Sequence, residues 1–281
     1  MSRRRGPDPG LAVALGAREH YLDPALYDYE YRRRRDDVAW YVGLAERLVP
    51  PGGAVLDLGC GTGRITVALA RAGFAVVAVD AEPAMLAGLR ARLARAPASV
   101  AARVEVREGD LRTLALRRRF ALAVAGFNVV EHLYTRVELD ACLRRVRRHL
   151  APDGRFAFDV QLPDPAWLAR DPGRRWARTR FRHPVTGVPT WYSTNHDYDP
   201  VSQIAIIRLY YQPLAGGPET VVHLSQRKYF PAELEALIAH AGLRVVERYG
   251  DFAGGPLGPA SESQVVICGA APAIRGASRR R

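Results

Sequence analysis

The stretch Ala54-Val-Leu-Asp-Leu-Gly-Cys-Gly-Thr-Gly-Arg-Ile-Thr66 decides how the rest of the chain is read. Ala54, Val55 and Leu56 form a short apolar run that suits a buried strand. The chain then turns through Gly59, Gly61 and Gly63, and Ile65 to Arg71 reads as a helix. Glycines so closely spaced are costly to order, and they make sense where a backbone must turn sharply and admit a ligand without Cβ atoms in the way. The free N–H groups of the following helix point into that gap, which suits an anionic group. A plain glycine-rich turn is the competing reading of the loop alone. Two acids argue against it. Asp57 closes the strand with no obvious local partner, and Asp80 closes the next apolar run, Ala75–Val79, where an acid can bind a ribose diol.

The glycine spacing separates two cofactor classes. A dinucleotide fingerprint requires a third glycine where this chain has Arg64. Asp57-x-Gly59-x-Gly61-x-Gly63 instead resembles motif I of the class I S-adenosylmethionine-dependent methyltransferases. The resemblance implies that the loop, with Cys60 and Arg64, holds the methionine part of the cofactor beside Asp57. It makes Asp80 the ribose-binding acid, with Ala81 and Met85 beyond it. Glu108-Gly109-Asp110-Leu111 matches the family's acid after the third strand, so Asp110 accepts from the adenine amino group and the Leu111 backbone supports the ring. Phe127 and Asn128, at the end of the fourth strand, sit where a methyl group is delivered.

Working outward, Asp36–Leu48 is an amphipathic helix with acids in its first turn. Pro83–Arg95 is a second helix with Pro at its first position, and Arg103–Arg107 a third strand. Phe120–Phe127 is apolar throughout and fits a central parallel strand. Helix Thr135–Leu150, the turn Ala151–Gly154 and strand Arg155–Val160 follow, and Leu150-x-Pro-x-Gly-x-Phe156 again resembles the methyltransferase pattern. After a proline-bearing crossing, Arg174–His183, Val188–Tyr198, Gln203–Gln212 and Thr220–Tyr229 read as a β meander separated by turn signals. Helix Pro231–Ala241 and strands Leu243–Tyr249 and Ser263–Gly269 complete the chain. The expected fold is an α/β, Rossmann-like doubly wound sheet of the seven-stranded methyltransferase type, with an antiparallel β insertion after the fifth strand. The expected division is a disordered basic tail over 1–17, a cofactor-binding domain over 18–160 and 229–270, a substrate-covering insert over 161–228, and a disordered basic tail over 271–281. Tyr21, Tyr27, Tyr29 and Tyr31 are either packing or a lid over the cofactor.

Length allows one sizeable core with room for an insertion. Formal charge is +12, and Lys228 is the sole lysine. The arginine excess, much of it in the two tails, reads as a solvated coat more than a nucleic-acid footprint. Cys60, Cys142 and Cys268 have neither disulfide nor metal spacing, and no metal is expected. No apolar run approaches a membrane span; Leu11–Ala17 mimics a signal peptide but is short. A cytoplasmic protein follows.

The resemblance implies S-adenosyl-L-methionine as cofactor and methyl transfer to an N or O atom of a small-molecule acceptor, since the inserted sheet resembles that of glycine and amino-sugar methyltransferases. Asn128-Val129-Val130-Glu131 departs from the Asn/Asp-Pro-Pro-aromatic tetrapeptide of DNA-amine methyltransferases, which counts against nucleic acid. A non-catalytic cofactor-binding protein and a nucleotide-dependent oxidoreductase remain as alternatives. The reaction is an in-line displacement that depends on holding two groups close and desolvated. His132 is the base candidate by position and intrinsic pKa, with Glu131 second; a structural residue opening the next helix is the competing reading of His132. His183, His196 and His223 read as surface or packing residues.

Overall fold

The computed structural model describes residues 9–272. The chain begins with helix α1 (Pro9–Gly16), a 3-10 turn (Glu19–Tyr21) and α2 (Pro24–Glu30), then enters α3 (Asp36–Leu48). The alternating core follows as β1 (Ala54–Leu58), α4 (Arg64–Arg71), β2 (Ala75–Asp80), α5 (Pro83–Ala94), α6 (Ala98–Ala101), β3 (Val104–Glu108), β4 (Phe120–Ala125), α7 (Arg136–His149) and β5 (Leu150–Gln161). A short α8 (Pro165–Leu168) leads into β6 (Trp176–Arg182), β7 (Pro189–Asp199), β8 (Ile204–Pro213) and β9 (Thr220–Arg227). Then α9 (Pro231–His240), β10 (Leu243–Tyr249) and β11 (Ser263–Ala270) return to the core.

β1 pairs in parallel with β2 and β4, β2 with β3, and β4 with β5. β11 runs antiparallel between β5 and β10, giving the order β10-β11-β5-β4-β1-β2-β3. One sheet face packs Leu139, Leu143 and Val146 of α7 with Leu234 and Ile238 of α9. The other packs Tyr41 and Leu44 of α3, Ile65 and Leu69 of α4, and Leu86 and Leu89 of α5. Because the first five strands are parallel, Asp57, Asp80, Asp110, Phe127 and Asp159 all arrive at one edge, outside the strands' carboxyl ends. At the start of α7, Thr135 and Glu138 form a reciprocal capping box that fixes where the segment after β4 must end.

The insertion is a four-stranded antiparallel sheet, β6-β7-β8-β9. Its strands lie within two residues of the expected limits at either end, because each is closed by the Pro/Gly turns that mark it.

One expectation is corrected. Of the tail expected to be disordered over 1–17, residues 1–8 lie outside the described residues, but Pro9–Gly16 is α1. Its apolar residues Ala12 and Leu15 belong to a segment laid on β9: Ser225 Oγ donates to the Val13 carbonyl, and a Cβ at Gly16 would come within 2.5 Å of Ser225 N. An apolar helix with a sheet to bury against orders where the sequence alone shows only a short run. Of the expected C-terminal tail, 273–281 lie outside the described residues.

Candidate active site

The loop after β1 passes through Gly59 and Gly61 at positive φ, 66° and 54°. A Cβ at Gly59 would meet Val129 at 2.5 Å, so only glycine lets the loop run against the segment after β4. Gly61 donates its N–H to Asp80 Oδ2 at 2.7 Å, while Asp80 Oδ1 accepts from Glu82 N at 2.9 Å. Asp80 therefore latches the loop while facing the cavity. Burial raises its pKa, and these backbone donors pull it back. Asp57 is buried and accepts from the Thr66 hydroxyl; burial pushes its carboxyl up to about 7.

Above the sheet edge lies a cavity of about 510 Å³. Its floor carries Gly59, Gly61, Asp80, Ala81, Met85, Asp110, Leu111, Phe127 and His132, nine of the residues singled out from the sequence. A recess of about 30 Å³ beside it is lined by Asp57, Cys60 and Arg64. Arg64 makes a two-pronged ion pair with Asp37 and lies 4.8 Å over the Phe127 ring. The half-exposed Asp110 is gripped by Arg112, which holds its carboxyl below the usual range and also reaches Glu138. Gly63 lies outside these cavities and caps α4 in the left-handed conformation, pressed against Leu89.

The roof is the N-terminal segment. Tyr21 and Tyr27 line the cavity, and Arg18–Glu82 and Asp28–Arg92 ion pairs tie the segment to α5 and the residues before it. Tyr21 and Tyr27 thus cover the cavity and pack at once, whereas Tyr29 and Tyr31 lie outside its lining.

Between roof and floor, Phe127 and Asn128 both take the left-handed conformation, at φ 66° and 62°. Two consecutive non-glycine residues there cost on the order of 1–3 kcal/mol each. Asp159 holds them: its carboxylate accepts from Phe127 N at 2.7 Å, Asn128 N at 3.1 Å and the Tyr41 hydroxyl at 2.7 Å. Burial lifts the Asp159 carboxyl to about 6. Sequence reading missed Asp159, although an acid ending an apolar strand is the same signal that Asp57 gives.

His132 lies in a chain of hydrogen bonds whose direction can be worked out. Ser225 Oγ donates to the Val13 carbonyl at 3.0 Å, which can only accept. Tyr134 must then donate to Ser225 Oγ at 2.6 Å, and His132 Nδ1–H to Tyr134 at 3.2 Å. Nε2 is left as the acceptor for the Tyr21 hydroxyl at 2.7 Å. Burial pushes the imidazole down to about 4, so it is neutral at physiological pH. His132 lines the cavity, but both ring nitrogens are engaged.

Glu131 lies outside the lining of every cavity described. It is fully buried, pairs with Lys228 Nζ at 2.7 Å and accepts from Gln161 N at 2.7 Å. These contacts commit its lone pairs inside the core, away from the cavity that His132 lines.

A second cavity of about 250 Å³ lies between the lid and the inserted sheet, sharing Tyr21, Tyr27 and Phe127 with the first. Its further walls are His20, Tyr31, Trp167, Trp176, Tyr192 and His196, with Asn128 at the sheet edge. His196 stacks on Trp167 at 3.6 Å and donates Nε2–H to its carbonyl at 2.7 Å. His20 is buried, held neutral by burial that pushes it down to about 4, and bonded to Tyr31. His223 bonds Glu19 of the lid, and His183 lies at the turn between β6 and β7. Among the described residues no cluster of His, Cys, Asp and Glu could hold a metal, and no helix is long and apolar enough to cross a membrane.

Residues 55–154 match a family model described as a methyltransferase domain. The chain is 31% identical over 256 residues to the cypemycin N-terminal methyltransferase of a Streptomyces species, covering 87% of this chain and 98% of that protein. It is 33% identical over 139 residues to the dTDP-3-amino-3,6-dideoxy-alpha-D-glucopyranose N,N-dimethyltransferase of Streptomyces fradiae, covering 50% of this chain and 48% of that one. Among solved structures, the CcbJ methyltransferase of Streptomyces caelestis shares the fold at a TM-score of 0.74 and 24% identity, over 91% of this chain and 99% of that one.

Proposed function

Since the chain belongs to the S-adenosylmethionine-dependent methyltransferases, we propose that its acceptor is an amine, on a small molecule or at a peptide end, seated in the aromatic cavity beneath the inserted sheet. The observation that carries this reading is the shared lining: Tyr21, Tyr27 and Phe127 border both cavities, so the two lie side by side. The named relatives that act on amines support the choice of nitrogen over oxygen.

The residues present fit S-adenosylmethionine. Asp80 presents a carboxylate to the larger cavity for a ribose diol, and the Gly59–Gly61 loop leaves open backbone where a side chain would intrude. Asp110 and the Leu111 backbone flank the place for an adenine. Asp57, Cys60 and Arg64 surround the recess suited to the amino-acid end, where Phe127 closes the ring of contacts. When bound, the cofactor supplies an electrophilic methyl carried on a sulfonium.

The chain's own residues position and desolvate. The neutral amine forms a C–N bond as the C–S bond breaks, and the methylated ammonium then releases its proton to water. Aromatic faces of Tyr21, Tyr27 and Phe127 favour positive charge along that path. Tyr21 directs its hydroxyl hydrogen at His132, so its lone pairs are left for the acceptor N–H. Tyr21 is the group that touches the acceptor, and His132 positions it. His132 cannot store the proton well, because its imidazolium is disfavoured in this dry site. A cytoplasmic setting is part of the proposal; the three cysteines are all free and buried, as in a reducing compartment.

The test is to incubate the chain with S-adenosylmethionine labelled in the methyl group and a panel of amines and matched alcohols, and to follow label by mass spectrometry. Label on nitrogen supports the reading. Label confined to the alcohols sinks it.

A further inference from the structure

The second cavity has a charge asymmetry in its lining. Arg34 and Arg170 both border it, and no Asp or Glu does. Neither guanidinium makes an ion pair among the described residues. Some neighbouring arginines are matched, Arg18 by Glu82, Arg64 by Asp37, Arg175 by Glu219 and Arg208 by Asp197, whereas others of the lid and insert, such as Arg33 and Arg178, have no ion pair among those residues either.

A chain with 41 basic and 29 acidic residues must leave some arginines unmatched. Most of these face open water, where they need no partner. Arg34 and Arg170 are exposed as well, but they also line an aromatic concavity. Arg34 lies 5.4 Å over Phe127, and Arg170 lies 4.8 Å over Trp176, whose indole carries Arg174 at 4.4 Å as well. A guanidinium stacked by its face keeps its N–H donors in the plane and free, in the fork that matches a carboxylate or phosphate. Both guanidiniums lie within cation–π range of a ring and neither is matched by a carboxylate, which leaves their donors for an anion.

We propose that Arg34 and Arg170 form an oxyanion clamp at the mouth of the acceptor cavity, and that the acceptor carries a carboxylate or phosphate beside its amine. This rests on the amine reading given above. The anion fixes the far end of the molecule and so directs the amine toward the wall shared with the cofactor cavity.

The experiment uses inorganic pyrophosphate and malonate as probes of the two anion types. The full chain, saturated with S-adenosylhomocysteine, is titrated with each at constant ionic strength, following tryptophan fluorescence, since Trp167 and Trp176 line the cavity. The expected result is that at least one probe saturates and that the Arg34→Ala/Arg170→Ala double variant raises its Kd at least tenfold. Saturation by pyrophosphate alone marks a phosphate-bearing acceptor, and by malonate alone a carboxylate. Arg33→Ala, an exposed neighbour outside the lining, should bind the probe like wild type, and S-adenosylhomocysteine affinity should be unchanged throughout, which shows that the variants are folded. Absence of saturation with either probe, or equal binding by the double variant, overturns the clamp. No methyl transfer is needed for this readout, so a failed clamp leaves the amine reading standing, and a failed amine screen leaves the titration meaningful.

Discussion

The Tyr21 hydroxyl lies 2.7 Å from Nε2 of His132, and that bond joins a lid to the floor of the sheet across 111 residues of chain. It is the first link of a directed chain that ends on the Val13 carbonyl of α1, so the lid contributes both the phenol and the final acceptor. Tyr21→Phe should lower kcat/KM about 10- to 100-fold with an amine found by the label screen. Cofactor affinity should stay within about threefold, because the ring that lines that cavity is retained. A Tyr21→Phe enzyme with the wild-type rate would reduce the bond to a structural tie.

Acid should distinguish His132 from its replacement. The imidazole titrates near 6.5 in the unfolded chain and about 4 in the folded one, so between those values the unfolded state binds more protons. Its contribution to stability is therefore present above 6.5 and lost as pH falls toward 4. Asp57, Asp159 and Glu30 oppose this over the same window, because their raised folded values make the native state bind the extra protons. Net stability is thus a poor readout, and the difference between wild type and His132→Gln is a good one. From pH 7 to pH 5 wild type should lose about 2 kcal/mol relative to the variant. Parallel urea midpoints at both pH values would show that His132 is charged when folded.

Asp80 and Asp110 should be unequal. Asp80 faces the ribose position and also holds Gly61 N, so Asp80→Ala removes a charge-assisted partner and loosens the loop. Cofactor affinity should fall by about 2–3 kcal/mol. Asp110 is half-exposed and already committed to Arg112, so its loss should weaken binding less. Calorimetry with S-adenosylmethionine checks the order; wild-type affinity in Asp80→Ala removes the ribose assignment.

The acids at the ends of β1 and β2 were legible because each follows an apolar run and precedes a turn, whereas Asp110, after the charged strand β3, was found only through the family resemblance. The insert was legible as four strands, yet its aromatic content did not sort itself. Trp176, Tyr192 and His196 reach the acceptor cavity, whereas Trp191 and Tyr210 instead carry Arg178 and Arg175. Alternation assigns two faces to a strand, but not which face a distant lid will cover. Asp159 ends an apolar strand as Asp57 does, but what it binds could not be read. Its donors exist because Phe127 and Asn128 turn left-handed, and phenylalanine gives no sign of that conformation. Helix α1 ordered against β9, a contact over more than 200 residues that no local pattern encodes.

The buried pair Glu131–Lys228 decides whether Glu131 belongs to the chemistry. Both residues are almost wholly enclosed, at 0% and 1% exposure, and Lys228 Nζ also donates to the side-chain amide oxygens, Oε1, of Gln161 and Gln226. Burial raises the Glu131 carboxyl, and the lysine beside it draws it back down, so the charged pair is held by mutual attraction in a dry site. Lys228→Met should destabilise the fold by about 3–5 kcal/mol, since it leaves an unmatched buried carboxylate. The double variant Glu131→Gln/Lys228→Met removes both charges while the glutamine carbonyl can still accept from Gln161 N. It should recover most of that loss, because a neutral, well-packed replacement of a buried pair is often nearly neutral in stability. Urea unfolding of the single and double variants measures the coupling. If the double variant folds and binds S-adenosylmethionine normally but transfers no methyl group, Glu131 takes part in the reaction after all; retained transfer assigns the pair to the architecture beneath the acceptor cavity.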